Sequence, residues 1–535
     1  MAARLGPHEL LHVFSFLEAR DLLSAAQVDK VWNEVSKTKE LWRQLCLRRW
    51  SSSKASQVVL GTQKWRQYYL CRSELEFRME SGRPEKDFIC RAISGHTGEI
   101  HGLSYISVSE YQFDGGKKSV VCTVSSDCTV RAWDLHEGVE IWSSPVQPAA
   151  LVNLVTYPQL QLVVTVDERG LIKVWKAENG WECASFCLPT LSSALEACNH
   201  PEGPFLLAAS AEGVLYVLTV PPLQVVSTVT LFPHHSVSLL CSPDHQWVFA
   251  SVQDSDLSPK VLSTHTLLHP SEDEPPVCST LPIRHSSRAC WAPEEAARLT
   301  VMHKNDNSMQ LVVTTYELGA QKSRDRMDIL GKVPWQVCVS PPLQCDASSM
   351  GSQVSHGAFS SLQGLCLSRE TKPCALFLKV KQIASFLLPD TTRPPHLMKG
   401  HGSQVILLVS GSELVLFTVH GLQLAAFQDH QRPIMAMWVD SSCVVTSSFD
   451  LSLRVYMWNK ENKLPVLKSC YHLLGGSHSG FTHVESDSMS IVGVEARSTG
   501  TSILRVYHFR VQRGSEECVT DDGVTSRTNS HICRD

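Results

Sequence analysis

The sequence predicts an α+β multidomain chain: a small helical head followed by a large all-β body of repeated sheets. Three observations predict it. Residues 1–80 carry apolar side chains at helical spacing, as at Leu10, Val13, Phe14 and Leu17. Beyond Pro84, short β-rich runs alternate with Gly, Pro, Asp and Ser for over 400 residues. Those runs recur with a fixed period, since strand ends align at Trp133, Trp175 and Leu218, spacings of 42 and 43.

Composition narrows the function. The chain has 535 residues, 43% hydrophobic and 19% charged, with a formal net charge of −5. This is globular composition and excludes a disordered, collagenous or coiled-coil chain. No block of five like charges occurs, so no nucleic-acid partner is expected. No run of about 18 apolar residues occurs, so no transmembrane helix and no membrane partner are expected. The N-terminal apolar stretch is cut by His8, Glu9 and His12 and does not read as a signal peptide. The 19 cysteines are scattered without a C-x-x-C, and no asparagine stands in N-x-[ST]. Neither a disulfide framework nor a zinc knuckle is indicated, which points to an intracellular location, cytoplasmic and/or nuclear. No cofactor and no metal site are expected.

The head divides into short helices. Pro7 stands near the start of the first, where its missing N–H costs nothing. Asp21 and Asp29 are expected to cap helices over 22–27 and 31–35. A fourth helix runs from about Lys39 to Arg49. Thr62 is expected to cap a longer one containing Trp65, Tyr68, Tyr69, Leu75 and Phe77, and Pro84 ends the helical zone.

In the body, nine candidate third strands end near 133, 175, 218, 265, 316, 380, 417, 456 and 507. Propellers have about 4–8 blades. At least one candidate is therefore spurious or an insertion, and eight blades are expected, with seven the alternative. The last unit, 481–509, offers three strands, and residues 87–93 could supply its fourth, closing the ring and removing open edges. The predicted units are a head at 1–50, a helical linker at 51–86, a β body at 87–512 and a polar tail at 513–535. Residues 1–85 hold 14 Lys and Arg against 10 Asp and Glu, the rest 34 against 43, so a basic head precedes an acidic body.

The repeat has a recognisable chemistry. Gly95-His96 precedes Ser125-Ser126-Asp127-Cys128-Thr129-Val130-Arg131-Ala132-Trp133-Asp134, and this resembles a WD40 repeat. A late unit has His430, Asp450 and Tyr456 in the Trp place, and a weaker one has Gly400-His401. In the first unit His96, Ser125, Asp127 and Trp133 are expected to form a structural hydrogen-bond set, and His430, Asp450 and Tyr456 another. The first 50 residues resemble an F-box through Leu5-Gly6-Pro7, Leu10, Val13-Phe14-Ser15-Phe16-Leu17, Asp21-Leu22-Leu23, Val28, Trp32 and Leu41-Trp42. Gly6 departs from the Leu of that pattern and predicts an altered first turn with weaker adaptor contact. Residues 64–70, Lys-Trp-Arg-Gln-Tyr-Tyr-Leu, resemble the linker helix of F-box/WD-repeat proteins.

The resemblance implies a non-catalytic substrate receptor of an SCF-type cullin–RING ubiquitin ligase. Its F-box residues Leu5, Pro7, Leu10, Val13, Phe14, Leu17, Leu22, Val28, Trp32, Leu41 and Trp42 would dock on the Skp-type adaptor, and through it on cullin and the RING subunit. The propeller would hold an unidentified protein substrate. Family members that read phosphorylated degrons use arginines on one propeller face, because Arg binds phosphate bidentately. At the matching positions this chain has Ser126, Glu168, Ala211 and Phe449, and on the innermost strands His101 and Met435. An unmodified apolar or basic segment is the expected ligand, since an acidic body repels phosphate.

Other motifs have plainer readings. His8-Glu9-Leu10-Leu11-His12 matches H-E-x-x-H, but Ser15 and Glu18 stand where the metzincin continuation needs Gly and His, and an exposed histidine pair is expected. Gly476-Ser477-His478-Ser479-Gly480 has His where a nucleophile elbow needs Ser. The acidic run at 272–274 reads as an exposed loop. The competing functions are a scaffold with a degenerate F-box and, far behind, a stand-alone enzyme or metalloprotein.

Overall fold

A computed structural model describes residues 5–50, 64–107, 118–271, 275–306, 308–322, 376–389, 393–459, 465–476 and 480–510. The expected cap at Thr62, the acidic run at 272–274 and the tail from 513 lie outside the described residues.

The head consists of α1 (Pro7–Phe14), α2 (Ala19–Ala25), α3 (Lys30–Ser36) and α4 (Lys39–Arg49). Asp29 caps α3 as expected, its carboxylate accepting from Trp32 N at 2.8 Å. Asp21 does not cap α2. That helix begins earlier, with Glu18 at its N-cap, and Asp21 sits in the first turn, where a carboxylate complements the helix dipole.

The linker helix α5 (Trp65–Ser81) joins two cores. Its first turns add Tyr68 and Tyr69 to the head cluster of Leu10, Phe14, Trp42 and Trp50. Its last turns add Leu75 and Met79 to a cluster with Phe88, Tyr471 and Phe509 of the body. Between them Arg72 is buried, its guanidinium 4.4 Å from the Trp50 ring centroid and donating to Tyr68 Oη at 2.6 Å. A single helical turn, α6 (Pro84–Asp87), then leads into the first strand.

The body is an eight-bladed propeller of four-stranded antiparallel sheets. The first blade runs Ile100–Ser107, Val120–Ser125, Val130–Asp134 and Val139–Ser143 from the axis outward. Innermost strands of successive blades lie against one another around most of the ring, as between blades one and two and between seven and eight. Second strands such as Leu162–Asp167 and Val405–Ser410 are buried at every position, because neighbouring blades cover both faces. The eighth blade closes the ring as predicted. Its outer strand is Phe88–Ile93, paired antiparallel with the last strand from Phe88↔Phe509 to Ile93↔Leu504.

Two sequence expectations need correction. The end near 380 is no third strand: it belongs to Leu376–Leu387, the outer strand of the fifth blade, paired along the third strand Leu311–Lys322. Both strands are 12 residues long and separated by 53 residues of sequence, so in the sequence the outer strand reads as a unit of its own. Gly400-His401 does not occupy the place of Gly95-His96. It ends the innermost strand Leu397–His401, and His401 stacks on Trp458 at 3.6 Å.

Each blade sends its second-to-third turns and the loops entering innermost strands to one end of the ring, the upper face. The first-to-second and third-to-fourth connections lie on the lower face. The linker helix packs on the lower face of blades seven and eight, against Cys443, Met457 and Phe509. Tyr471 Oη locks it there, donating to Arg78 O at 2.7 Å and lying 2.9 Å from Asp87 Oδ2.

Candidate functional site

Among the described residues, the head leaves an apolar surface uncovered. Leu5, Val13, Phe16, Val28 and Val31 are exposed, Phe16 at 73% and Val28 at 60%. They lie on or beside α1 and α3, which pack together. The F-box residues expected to dock therefore divide into two groups. Leu10, Phe14, Leu22, Leu41 and Trp42 form the head's own core, and Trp42 Nε1 donates to Ser36 O at 2.6 Å. They shape the surface without being part of it. Leu5, Pro7, Val13 and Val28 are exposed, with Leu17 and Trp32 partly so. Phe16 and Val31 were missed as surface candidates. For Phe16 the signal was its place off the stripe through Leu10 and Phe14.

Gly6 does not distort the first turn. It is an extended N-cap, φ −73° and ψ 169°, and α1 starts at Pro7. A Cβ there would meet only the far end of the Glu9 side chain. The position tolerates a side chain, so the expected alteration is absent. His8, Glu9 and His12 of the H-E-x-x-H match are all exposed on α1.

The first blade's polar set is structural. His96 Nδ1 lies 2.8 Å from Asp127 Oδ2, and Nε2 2.8 Å from Thr123 Oγ1. Trp133 Nε1 donates to the same Thr123 oxygen at 2.8 Å, and Thr129 Oγ1 donates to Asp127 Oδ1 at 2.6 Å. Burial holds the His96 pKa below its usual value, with Asp127 opposing, and an ionised carboxylate only accepts, so Nδ1 is the donor to Asp127. The relay hydroxyl is thus Thr123, not Ser125. Ser125 instead accepts from Asp127 N at 3.2 Å and braces the turn. In the seventh blade His430, Asp450 and Thr446 repeat the geometry at 2.9 and 2.8 Å. Tyr456 fills the Trp place, buried at 1% exposure. In the second blade only the Trp175–Thr165 bond remains, also 2.8 Å.

The upper face has a repeated backbone device. The innermost strands shift register by one residue at His101, Val152, Ser193, Ser287, Met435 and Thr482. Such bulges re-aim a side chain, and these six stand around the upper mouth of the ring. Ser126, Glu168, Ala211 and Phe449 lie in the adjoining second-to-third turns. His101 is tied down, its Nδ1 3.0 Å from Leu151 O of the next blade. None of these positions is Arg, but exposed arginines stand in nearby upper connections at 169, 284, 393 and 432. The sequence reading did not place those.

The axis holds charge that the sequence reading also missed. Glu196, Lys399 and Glu485 sit on innermost strands of blades three, six and eight. Burial pushes Glu196 up to about 7 and Glu485 up to about 8, with Lys399 opposing both shifts. An acidic residue inside an apolar innermost strand was the available signal.

Comparisons with known proteins agree with this architecture. A family model described as F-box-like matches residues 7–48, and one described as WD domain, G-beta repeat, matches 88–134. The human protein named F-box/WD repeat-containing protein 12 is 33% identical over 512 residues, 95% of this chain and 99% of that one. The mouse F-box/WD repeat-containing protein 15 is 29% identical over 88% of this chain and 91% of its own. The rat F-box/WD repeat-containing protein 2 is 26% identical over 28% of this chain and 30% of its own.

Proposed function

The chain belongs to the F-box/WD-repeat family, and from that premise we propose that it is the substrate-recognition subunit of an SCF-type ubiquitin ligase. The head docks on a Skp-type adaptor, and through it on cullin and the RING subunit. The propeller holds a protein substrate at its upper face. The chain itself supplies no catalytic group, and it acts in the cytoplasm and/or nucleus.

One observation carries this reading. An uncovered apolar head surface around Phe16 and Val28 is fixed to the lower face of the propeller by a helix anchored in both cores. A large exposed apolar patch marks a partner surface. A rigid strut sets the distance and orientation between partner and substrate, which governs how often a substrate lysine meets the ubiquitin thioester. The upper face, opposite the strut, stays free for substrate. The bulge positions and the four matching turn positions Ser126, Glu168, Ala211 and Phe449 carry no Arg, and the body is acidic, which favours an unmodified apolar or basic segment over a phosphate-dependent ligand despite the exposed arginines at 169, 284, 393 and 432.

Size exclusion of the full chain co-expressed with the Skp-type adaptor and cullin tests this. Wild type should co-elute, and Phe16→Asp with Val28→Asp should not, while keeping the propeller folded because both sites are exposed. No assembly by well-folded wild type would favour the scaffold reading. Substrate capture that phosphatase abolishes would overturn the unmodified-ligand reading.

A further inference from the structure

We propose that the lower face carries a divalent transition-metal site, of the kind that takes Zn(II), formed by Glu202, His265 and His269 across blades three and four. The one-turn helix α7 (Thr264–Leu268) follows the third strand of blade four. His265 lies in it and His269 directly after it, so the two imidazoles stand at i, i+4 on one side, ring centroids 4.9 Å apart. Glu202 comes from blade three, in the turn between its first two strands. Its Oε2 lies 2.5 Å from His269 Nε2. One ligand atom from each of the three residues falls within 4.8 Å of the others.

The supporting backbone is fixed, although the three side chains are exposed. Leu267 and Leu268 anchor α7 in the core shared by blades three and four. Ser227 Oγ of blade three donates to Leu267 O at 2.6 Å, and Thr264 Oγ1 donates to His245 O at 2.8 Å. On the other side, Glu202 N donates to His200 Nδ1 at 3.3 Å, and the His200 ring lies against Phe205. Metal–nitrogen and metal–oxygen bonds of about 2.0–2.2 Å require ligand atoms closer than 4.8 Å. Rotation of exposed side chains supplies that convergence without moving strands.

The chemistry selects the ion. Two neutral imidazoles and one carboxylate suit Zn(II), Cu(II) or Ni(II), whereas Ca(II) and Mg(II) prefer all-oxygen shells. Three protein ligands leave a fourth position for water. A bound ion would take the place of the His269–Glu202 hydrogen bond and would link the two blades. The site lies across the ring from the linker helix, which meets blades seven and eight. It is therefore independent of adaptor docking.

The experiment uses the chelator-treated full chain, titrated with Zn(II) by calorimetry and with Co(II) by visible absorption. Wild type should bind one more equivalent of Zn(II) than Glu202→Ala or the pair His265→Ala, His269→Ala. A variant that still takes up that equivalent should bind it at least about tenfold more weakly. The Co(II) bands lost in the variants should lack thiolate charge transfer, which separates this site from the exposed cysteines. Zn(II) should raise the thermal midpoint of wild type more than that of the variants. Equal stoichiometry and equal affinity in wild type and variants would overturn the site.

Discussion

His96 is buried and bonded at both ring nitrogens, so its removal breaks a chain that ties the loop before the first blade to that blade's second and third strands. His96→Ala should cost about 1–3 kcal/mol, because Thr123 and Asp127 are left buried with a lost partner. Thr123→Val should cost a similar amount, while Ser125→Ala should cost less, and urea unfolding would rank them. The motif residues were legible at fixed spacing, but the relay hydroxyl was not. Period 2 puts 123 and 125 on one strand face, and only the three-dimensional register shows that Trp133 Nε1 meets Thr123. Gly6→Leu should leave the thermal midpoint within about 0.5 kcal/mol of wild type in stability terms and tighten adaptor binding, since its backbone is already extended. Titration adds a second check. His96, His430 and His508 are held below the usual imidazole value by burial, His508 at about 4. The unfolded chain then binds more protons below about pH 6.5, so this stability is complete above that pH and is lost as pH falls. Glu196 and Glu485 shift upward, so the native state binds more protons between the ordinary carboxyl value and about 7 or 8. Their contribution is lost as pH rises through that window. Each group slopes by at most about 1.4 kcal/mol per pH unit. Thermal midpoints against pH should fall on both sides, and Glu485→Gln should flatten the alkaline side alone.

At the scale of elements, α5 is the part least legible in the sequence. Its apolar residues serve two partners, Tyr68 and Tyr69 toward the head and Leu75 and Met79 toward the propeller, so no single stripe runs along it. The short helices of the head were easier to place, because each buries one face in one core. α4 is found where it was expected, at Lys39–Arg49. The burial of Leu10 and Phe14 also changes which substitutions are informative. Truncating either costs about 2–5 kcal/mol of head stability and cannot separate docking from folding. Tyr471→Phe is the cleaner probe of the strut. It removes bonds to Arg78 O and Asp87, worth about 1–3 kcal/mol together, without opening a cavity. Limited proteolysis should cut this variant faster between head and propeller, with the propeller fragment itself stable. An unchanged cleavage rate would show that Leu75 and Met79 hold the helix without the tyrosine.

At the scale of the molecule, the sequence positions of strand ends carried the blade number, and the closure followed from a shortage. The last unit had three strands and an extended segment stood unused before the first Gly-His pair. What could not be read was the fifth blade, whose two long outer strands are remote in sequence and adjacent in space. Closure makes a prediction about truncation. Phe88–Ile93 pairs with the last strand at six successive positions, and Phe88 packs its ring on Phe509 at 4.2 Å. A chain beginning at residue 84 keeps that strand, whereas one beginning at residue 94 leaves 502–509 as an unpaired edge and uncovers Phe509. Exposed edges of this kind recruit other chains. The longer chain should elute as a monomer by light scattering with a single cooperative transition. The shorter should form oligomers or aggregate, and its thermal midpoint should lie lower. Strand addition in trans offers a rescue: a synthetic peptide spanning 84–93 should return the shorter chain to a monomer, because ring closure needs the strand and not the covalent link. A monomeric, equally stable chain beginning at 94 would mean that the blade-to-blade cores alone hold the ring.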